Sequence, residues 1–487
     1  MNAEIVYKKI VNSLKLKKNG ATTADICAST ALPLVTVEEL LPKAADEYSG
    51  HLRVTESGEI QYYFPNGFTS RYRGFGAVIK KVTDKAAAFI KKSLVLLFKI
   101  WIMVMLIGYF LLFIALALAT VIIQITAKSG GKKSGSGRGG GLNFSVFNLI
   151  WRIWFINEVT RPSGYGNRNY RNSGNKKPKL PMYKAIFSFV FGEEDPNKDW
   201  DEIKDKAIIS FIQANRGVIS LSEYMVFTGE SILCAEENIL FFCSRFGGSP
   251  EVTEEGIIVY RFDKLLLQSD VNKKIEPAAP FKKLKTFSAN SKKTNGCFVA
   301  INMVNLLFGS YFLYQSFAAG RIIFDPVKPV IQGLYGSVHY FLNFVMSEPH
   351  NFIRIVLGLI PLVFSLVFWI IPAIRNVSEK KENKKNKLSN FKRFCFNKIL
   401  SSPKKIDAES LMPAPNEFFP DDLAAAANKV INDVGAFSIP EIAAEENGKM
   451  IYSFNELERE KQEVKKYRET IDTSKLQIGK TVFDSNV

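Results

Sequence analysis

Residues 6–14 place Val6, Tyr7, Ile10, Val11 and Leu14 at three- and four-residue intervals, the period of an amphipathic helix, and Gly20 closes the run. Residues 23–28 and 37–48 read as two further short helices, the second leading through Ser49 and Gly50 toward VTESGEIQYYF at 54–64. There Val54 and Thr55 favour extended backbone and Gly58 can take the positive φ of a turn. Ile60, Tyr62 and Phe64 alternate onto one face, so the stretch predicts a β-hairpin with one buried side.

The same pattern returns as VTEEGIIVYRF at 252–262. A gapless shift of 198 residues pairs Ile10 with Ile208, Thr30 with Thr228, Glu38 and Glu39 with Glu236 and Glu237, and Gly50 with Gly248. The repeated unit is therefore the size of a small domain. Three helices followed by a two-stranded wing is the winged-helix pattern. A third, more divergent copy is predicted near the C-terminus, where AAAANKVINDV is followed by GKMIYSF at 448–454.

A different pattern interrupts these modules. Residues 100–127, 294–320 and 355–374 carry no charge over 28, 27 and 20 positions, and a spanning helix needs roughly 20. The expected fold class is α+β modules plus transmembrane helices: repeated winged-helix-like domains, each three helices and a β-hairpin wing, joined by about three membrane segments. Module 1 is expected over 1–70, a basic juxtamembrane helix over 71–93 and membrane segment 1 over 94–127. A Gly/Ser/basic linker with an interfacial aromatic segment follows over 128–183, and module 2 over 184–265. Membrane segments 2 and 3 are placed at 294–320 and 352–374 around a loop at 321–351. A basic linker (375–398), module 3 (399–456) and a C-terminal helix and tail (457–487) complete the chain.

Composition agrees: 47% of the 487 residues are hydrophobic, too many for a wholly soluble chain this rich in Lys and Asn. Residues 1–20 form a charged amphipathic helix, not a secretory signal peptide, so the first membrane segment would be an uncleaved anchor. Lysines set the orientation. Lys282, Lys283, Lys285, Lys292 and Lys293 precede the second segment and Arg375, Lys380, Lys381, Lys384 and Lys385 follow the third, whereas the loop between holds Arg321, Lys328 and, at its edge, Arg354. Modules 2 and 3 should face the cytoplasm of a bacterial inner membrane. The first segment is basic on both flanks. A single long or tilted span, which chain length favours, would put module 1 outside, while a re-entrant hairpin bent near Gly108 would keep all three modules together.

AKSGGKKSGSGRGGG at 127–141 reads as a flexible linker; no strand leads into it and no Gly-Lys-Ser/Thr opens a helix, so it is not a phosphate-binding loop. Residues 144–156, with Trp151, Arg152 and Trp154, suit the lipid headgroup interface, or else form a buried soluble helix. Lys91, Lys92, Lys99, Lys292, Lys293 and Arg375 are the other expected interface residues, with membrane lipids as partners.

KAIFSFVFGEEDPNKDWDEIKDKAIISFIQANRGVIS (184–220) and the hairpins GGSPEVTEEGIIVYRF and SGHLRVTESGEIQYYF resemble a family of uncharacterised membrane proteins of cyanobacteria and plant chloroplasts. Some members carry the label "iron-sulfur cluster biosynthesis family protein". The resemblance extends in outline over most of the chain. It implies a winged-helix-like module, a membrane segment, a basic aromatic linker, a second module and a membrane pair, and it assigns no catalytic residue. The absence of a plant transit peptide favours a bacterial member.

The residues themselves offer no catalytic or cofactor chemistry. Cys27, Cys234, Cys243, Cys297 and Cys395 include no Cys-x-x-Cys pair, whereas a permanent cluster usually needs four thiolates around it. Their odd number and irregular spacing also give no disulfide framework. His51, His339 and His350 form no metal spacing or triad. The acidic run Glu193, Glu194, Asp195, Asp199, Asp201 and Glu202 could hold a divalent cation, but carboxylates before a helix more often cap it and complement its dipole. Neither a metal site nor a cofactor is expected.

The net charge of +17 invites a nucleic-acid reading, which charge placement opposes. The helix that would enter a major groove, residues 36–48, carries Glu38, Glu39, Asp46 and Glu47 against Lys43 alone. Its counterpart at 234–246 is acidic and apolar with one Arg, and that at 421–434 has three Asp and one Lys. Duplex DNA presents one negative charge per roughly 1.7 Å, so a groove-reading helix should not be acidic. The expected function is therefore a membrane scaffold or assembly protein, not an enzyme, that uses its modules for protein contact. Glu38, Glu39, Glu236 and Glu237 are the candidate contacts to an unidentified protein partner. The runner-up is a membrane-tethered nucleic-acid-binding regulator.

Overall fold

The computed structural model describes residues 3–17, 19–65, 67–71, 75–129, 180–269, 277–319, 333–414, 416–436, 438–444, 449–472 and 478–485. They divide into two units: Met1–Lys81 with Asp195–Leu284 and Lys381–Val487, and Val82–Glu194 with Lys285–Lys380.

In the first unit, helices Ala3–Leu16, Thr23–Thr30 and Leu34–Glu47 precede β1 (His51–Thr55) and β2 (Ile60–Tyr63). Helix Trp200–Ala214, β3 (Val218–Ser220) and helices Leu221–Thr228 and Ile232–Phe246 precede β4 (Ser249–Val252) and β5 (Ile258–Arg261). The C-terminal part holds the end of helix Ile360–Ser401, β6 (Ile406–Asp407), helix Leu423–Gly435, β7 (Glu441–Ala444), β8 (Met450–Ser453), helix Asn455–Thr470 and β9 (Thr481–Asp484). Three small sheets result, in the orders β2-β1-β9, β3-β5-β4 and β6-β8-β7.

Local chemistry explains the matching starts. Thr22 and Asp25 form a reciprocal capping box at Thr23–Thr30, and Ser220 and Glu223 form one at Leu221–Thr228, 198 positions later. The hairpins share their register as well, with Leu52 opposite Tyr62 and Pro250 opposite Tyr260. Tyr62 and Tyr260 are both buried, at 6% exposure, as their alternation predicts. Ile60 and Ile258 are not: they are 39% and 53% exposed, because each is the first strand residue after the turn, and burial begins at the next position, Gln61 and Val259.

A continuous apolar core joins the three parts of this unit, running through Ile10, Leu41 and Tyr62, then Ile208, Phe246 and Tyr260, then Phe391, Val430 and Phe454. Polar clamps reinforce it. Thr22 Oγ1 donates to Leu267 O at 2.6 Å, Ser269 Oγ donates to Asp25 Oδ2 at 2.5 Å, and Lys9 pairs with Glu202 at 2.6 Å.

The second unit is built on long apolar helices. Phe75–Met103 passes through a π-helical turn at Val104–Gly108 into Tyr109–Ser129. The chain continues straight through Gly108 rather than reversing there, so the re-entrant hairpin is corrected: Met103 and Tyr109 both keep right-handed helical dihedrals, and no proline interrupts them. Ala86–Ile122, Lys292–Ala318 and Pro349–Ser401 are long and apolar enough to cross a membrane. The expected basic linker at 375–398 is a direct helical continuation of the third. Helix Met182–Phe191, expected to open module 2, belongs to the second unit.

Gly309 and Gly358 let two of these helices touch: a Cβ on Gly309 would lie 3.0 Å from Leu362 N, and one on Gly358 3.0 Å from Leu313 Cα. Fully buried amides add polar ties, Asn302 Nδ2 donating to Ser365 O at 3.1 Å and Asn305 Nδ2 to Leu106 O at 2.7 Å.

Candidate docking surfaces

Helix Leu34–Glu47 begins earlier than the sequence pattern indicates, and helix Ile232–Phe246 likewise. Glu38, Glu39, Glu236 and Glu237 consequently sit in the second turn. Neither helix has an acidic residue in its first turn, so the macrodipole, which fades within one turn, gives these carboxylates little. All four are exposed.

Their settings differ. Glu39 pairs with Lys43 one turn on, at 2.7 Å, and Glu38 with Lys264 at 3.3 Å. Hydrogen bonding and charge from Lys43 hold the Glu39 carboxyl below its usual range. No ion pair or side-chain hydrogen bond engages Glu236 or Glu237 among the described residues. Around them Leu233, Leu240 and Phe241 are exposed at 75%, 53% and 64%. Leu233, Glu237, Leu240 and Phe241 fall at helical spacing and so share one face. That face is apolar with carboxylates beside it, a chemistry suited to a partner surface carrying both apolar and basic groups.

The basic residues are distributed as follows. Lys91, Lys92, Lys292 and Lys293 are exposed near the ends of apolar helices. Lys99 stands 4.2 Å from the centre of the Phe187 ring. Arg375 turns inward: it donates to Phe287 O at 2.6 Å and Phe189 O at 2.7 Å and pairs with Glu379 at 2.8 Å. These contacts tie the main chain at Phe287 and Phe189 to the helix that carries Arg375. Trp151, Arg152 and Trp154 lie outside the described residues.

The chemistry-bearing groups stay dispersed. Among the described residues no group of three or more His, Cys, Asp or Glu side chains could hold a metal ion. Cys27, Cys243 and Cys395 are buried, Cys297 is partly covered and Cys234 is exposed. Burial pushes the Cys27 and Cys243 thiols up to about 12, far from a reactive thiolate.

In the acidic run, Asp199 makes no side-chain cap. Asn197 instead brackets the Lys283 main chain, at 2.7 and 2.9 Å, while Glu202 pairs with Lys9 and Lys206. His350 takes an Arg354 donor at 3.0 Å on Nε2 and lies 2.7 Å from the Tyr335 hydroxyl on Nδ1. Acceptance at Nε2 leaves the proton of the neutral ring on Nδ1. His339 stacks against Tyr335, and burial together with the neighbouring His350 lowers its pKa.

Two features escape the sequence reading. Arg393, 1% exposed, donates to Phe227 O, Thr228 O and Asn390 Oδ1. The C-terminal strand β9 pairs antiparallel with β1. The capping boxes were within reach of sequence reasoning, through Thr22-x-x-Asp25 and Ser220-x-x-Glu223.

The chain is 24% identical over 423 residues to a protein of Arabidopsis thaliana described as uncharacterized and chloroplastic, covering 82% of this chain and 73% of that one. No family model and no solved structure matches the chain. The similarity supports kinship with an uncharacterised plant chloroplast protein and, with the apolar helices, membrane association. It carries neither an iron-sulfur label nor a cyanobacterial origin.

Proposed function

We propose that this protein is a membrane-anchored scaffold or assembly factor whose three winged-helix-like modules form one platform for protein contact. The observation that carries the reading is the exposed face of helix Ile232–Phe246, where Leu233, Leu240 and Phe241 accompany Glu236 and Glu237, which have no ion-pair partner among the described residues. The recurrence of capping box and hairpin register at an interval of 198 residues supports treating the first two modules as copies. The sheet order β6-β8-β7 parallels β3-β5-β4 and supports the third. Basic flanks favour a cytoplasmic placement of the platform at a bacterial inner membrane, with anionic lipids as a second partner.

The test compares the full chain with a Glu236→Lys, Glu237→Lys double variant in crosslinked native membranes. The scaffold reading expects a defined set of crosslinked proteins that the double variant loses while it stays folded, because like charges facing a basic surface are repelled. A folded variant that retains every partner counts against it. Titration of the purified chain with duplex DNA at two salt concentrations addresses the nucleic-acid reading: salt-sensitive binding unaffected by the charge reversal would favour a tethered regulator.

A further inference from the structure

The sheets differ at one edge. In the second and third, β4 and β7 form an outer edge, whereas in the first the corresponding strand β1 carries β9 from the C-terminus. Edge strands present unpaired N–H and C=O groups that can template a further strand, and natural proteins blunt them. On β4, Pro250 does this by lacking an N–H at the position 198 residues beyond Leu52. Leu52 has both groups and uses both. Its N–H donates to Ser485 Oγ at 2.9 Å and its carbonyl accepts from Ser485 N at 3.0 Å.

The contact has a narrow chemical definition. Glu56 N donates to Lys480 O at 3.0 Å, and Lys480 N donates back to Glu56 Oε2 at 3.1 Å. Gly479 has φ +67, and a Cβ there would stand 2.5 Å from the Glu56 carboxylate, so this position selects glycine. Asp484 pairs with Arg53 at 2.8 Å. The side chains of Val482 and Phe483 contribute little, being 70% and 60% exposed. The strand is therefore held by main-chain hydrogen bonds, by the side-chain acceptors Ser485 Oγ and Glu56 Oε2, and by one half-buried ion pair, with almost no apolar burial to retain it.

We propose that the edge of β1 is a strand-acceptor site for a protein partner, and that the C-terminal segment occupies it in cis as an exchangeable plug. The partner it fits is an extended segment with glycine opposite Glu56 and a carboxylate opposite Arg53, added to the sheet by main-chain pairing. This rests on the protein-contact reading above, yet it concerns a different surface from the acidic helix. Loss of one therefore does not entail loss of the other.

The test uses a fluorescent peptide of residues 478–487 and two forms of the protein, the full chain and a form ending at residue 472. The shortened form is expected to bind the peptide at least tenfold more tightly than the full chain, and Asp484→Lys in the peptide should weaken binding at least tenfold. Equal binding to both forms, or no effect of Asp484→Lys, overturns the site. Hydrogen exchange on the intact chain decides the plug independently of how the shortened form folds. The Glu56 amide, which donates to the tail, should exchange at least tenfold faster than the Tyr62 amide, which donates to Ala21 O. Equal protection makes the tail a fixed strand and overturns the proposal. A dimer of intact chains that dissociates on removal of the tail would make the occupant a second copy, which overturns the external partner.

Discussion

The guanidinium of Arg393 lies 4.6 Å from the centre of the Trp200 ring and at the same time caps the end of helix Leu221–Thr228 through the carbonyls of Phe227 and Thr228. Asn390 supports it, accepting from Arg393 while bracketing the Lys282 main chain at 2.8 and 2.9 Å. Lys282 faces the same ring from 5.3 Å, so Trp200 receives two cations. No carboxylate pairs with Arg393 among the described residues; helix-end carbonyls, which carry partial negative charge, take that role.

Arg393→Ala should therefore cost about 3 kcal/mol, since it leaves buried carbonyls without donors. Arg393→Lys should recover little of this, because an ammonium cannot reproduce the planar fork. Thermal unfolding of the detergent-solubilised chain, followed by tryptophan emission, measures both. A lysine variant with wild-type stability would show that charge alone suffices.

Tyr260 and Ile258 lie two residues apart on β5 and separate burial from exposure on a single strand. Tyr260→Ala should destabilise the first unit by roughly 3 kcal/mol, the range for emptying a core aromatic site. Ile258→Ala should fall within about 0.5 kcal/mol, as expected of an exposed position. Denaturant midpoints for the two variants provide the comparison, and similar losses for both would contradict the hairpin packing described above.

These hairpins were legible because period-two alternation and an exact-length shift of the chain are both local signals. Tyr62, Tyr260 and the helices before them follow from spacing alone. The paired glutamates are legible as a pair, but a helix read as starting at residue 37 sets Glu38 and Glu39 too near its beginning: Leu34 and Ile232 start the helices after Pro33 and Ser231, positions that the apolar period does not mark. Arg393 was hidden for another reason. In a run of Lys384, Lys385, Lys387, Lys392 and Arg393 nothing distinguishes the one side chain that turns inward. The pairing of β9 with β1 joins residues more than 400 positions apart through main-chain atoms, which every sequence possesses.

Thiol reactivity should distinguish Cys234 sharply from its neighbours. Cys234 is exposed on the acidic helix, whereas Cys27 and Cys243 are buried with thiols pushed up to about 12 by loss of hydration. At pH 7 the buried pair would hold on the order of one thiolate in 10⁵, so a brief maleimide pulse should modify Cys234 and spare both. Raising the pH to 9 should leave that ranking unchanged. Mass spectrometry of peptic fragments reads the result, and rapid modification of Cys243 would mean that helix Ile232–Phe246 opens in solution.

The shared core of the first unit also predicts a topology. Met1–Lys81, Asp195–Leu284 and Lys381–Val487 pack around one apolar interior, so all three lie on the same side of any membrane the protein crosses. The chain must then cross an even number of times in each excursion. Between Leu284 and Lys381, helices Lys292–Ala318 and Pro349–Ser401 provide a pair. A common core predicts that module 1 lies with its companions, because a single net crossing would tear that core apart. In a Cys234→Ser background, Asn12→Cys, Glu254→Cys and Glu417→Cys should share one response to an impermeant thiol reagent in intact cells, and Ser347→Cys should give the opposite one. Basic flanks predict that Ser347→Cys is the labelled site. Labelling of Asn12→Cys together with Ser347→Cys, with Glu254→Cys protected, would separate module 1 from module 2 and refute the shared core.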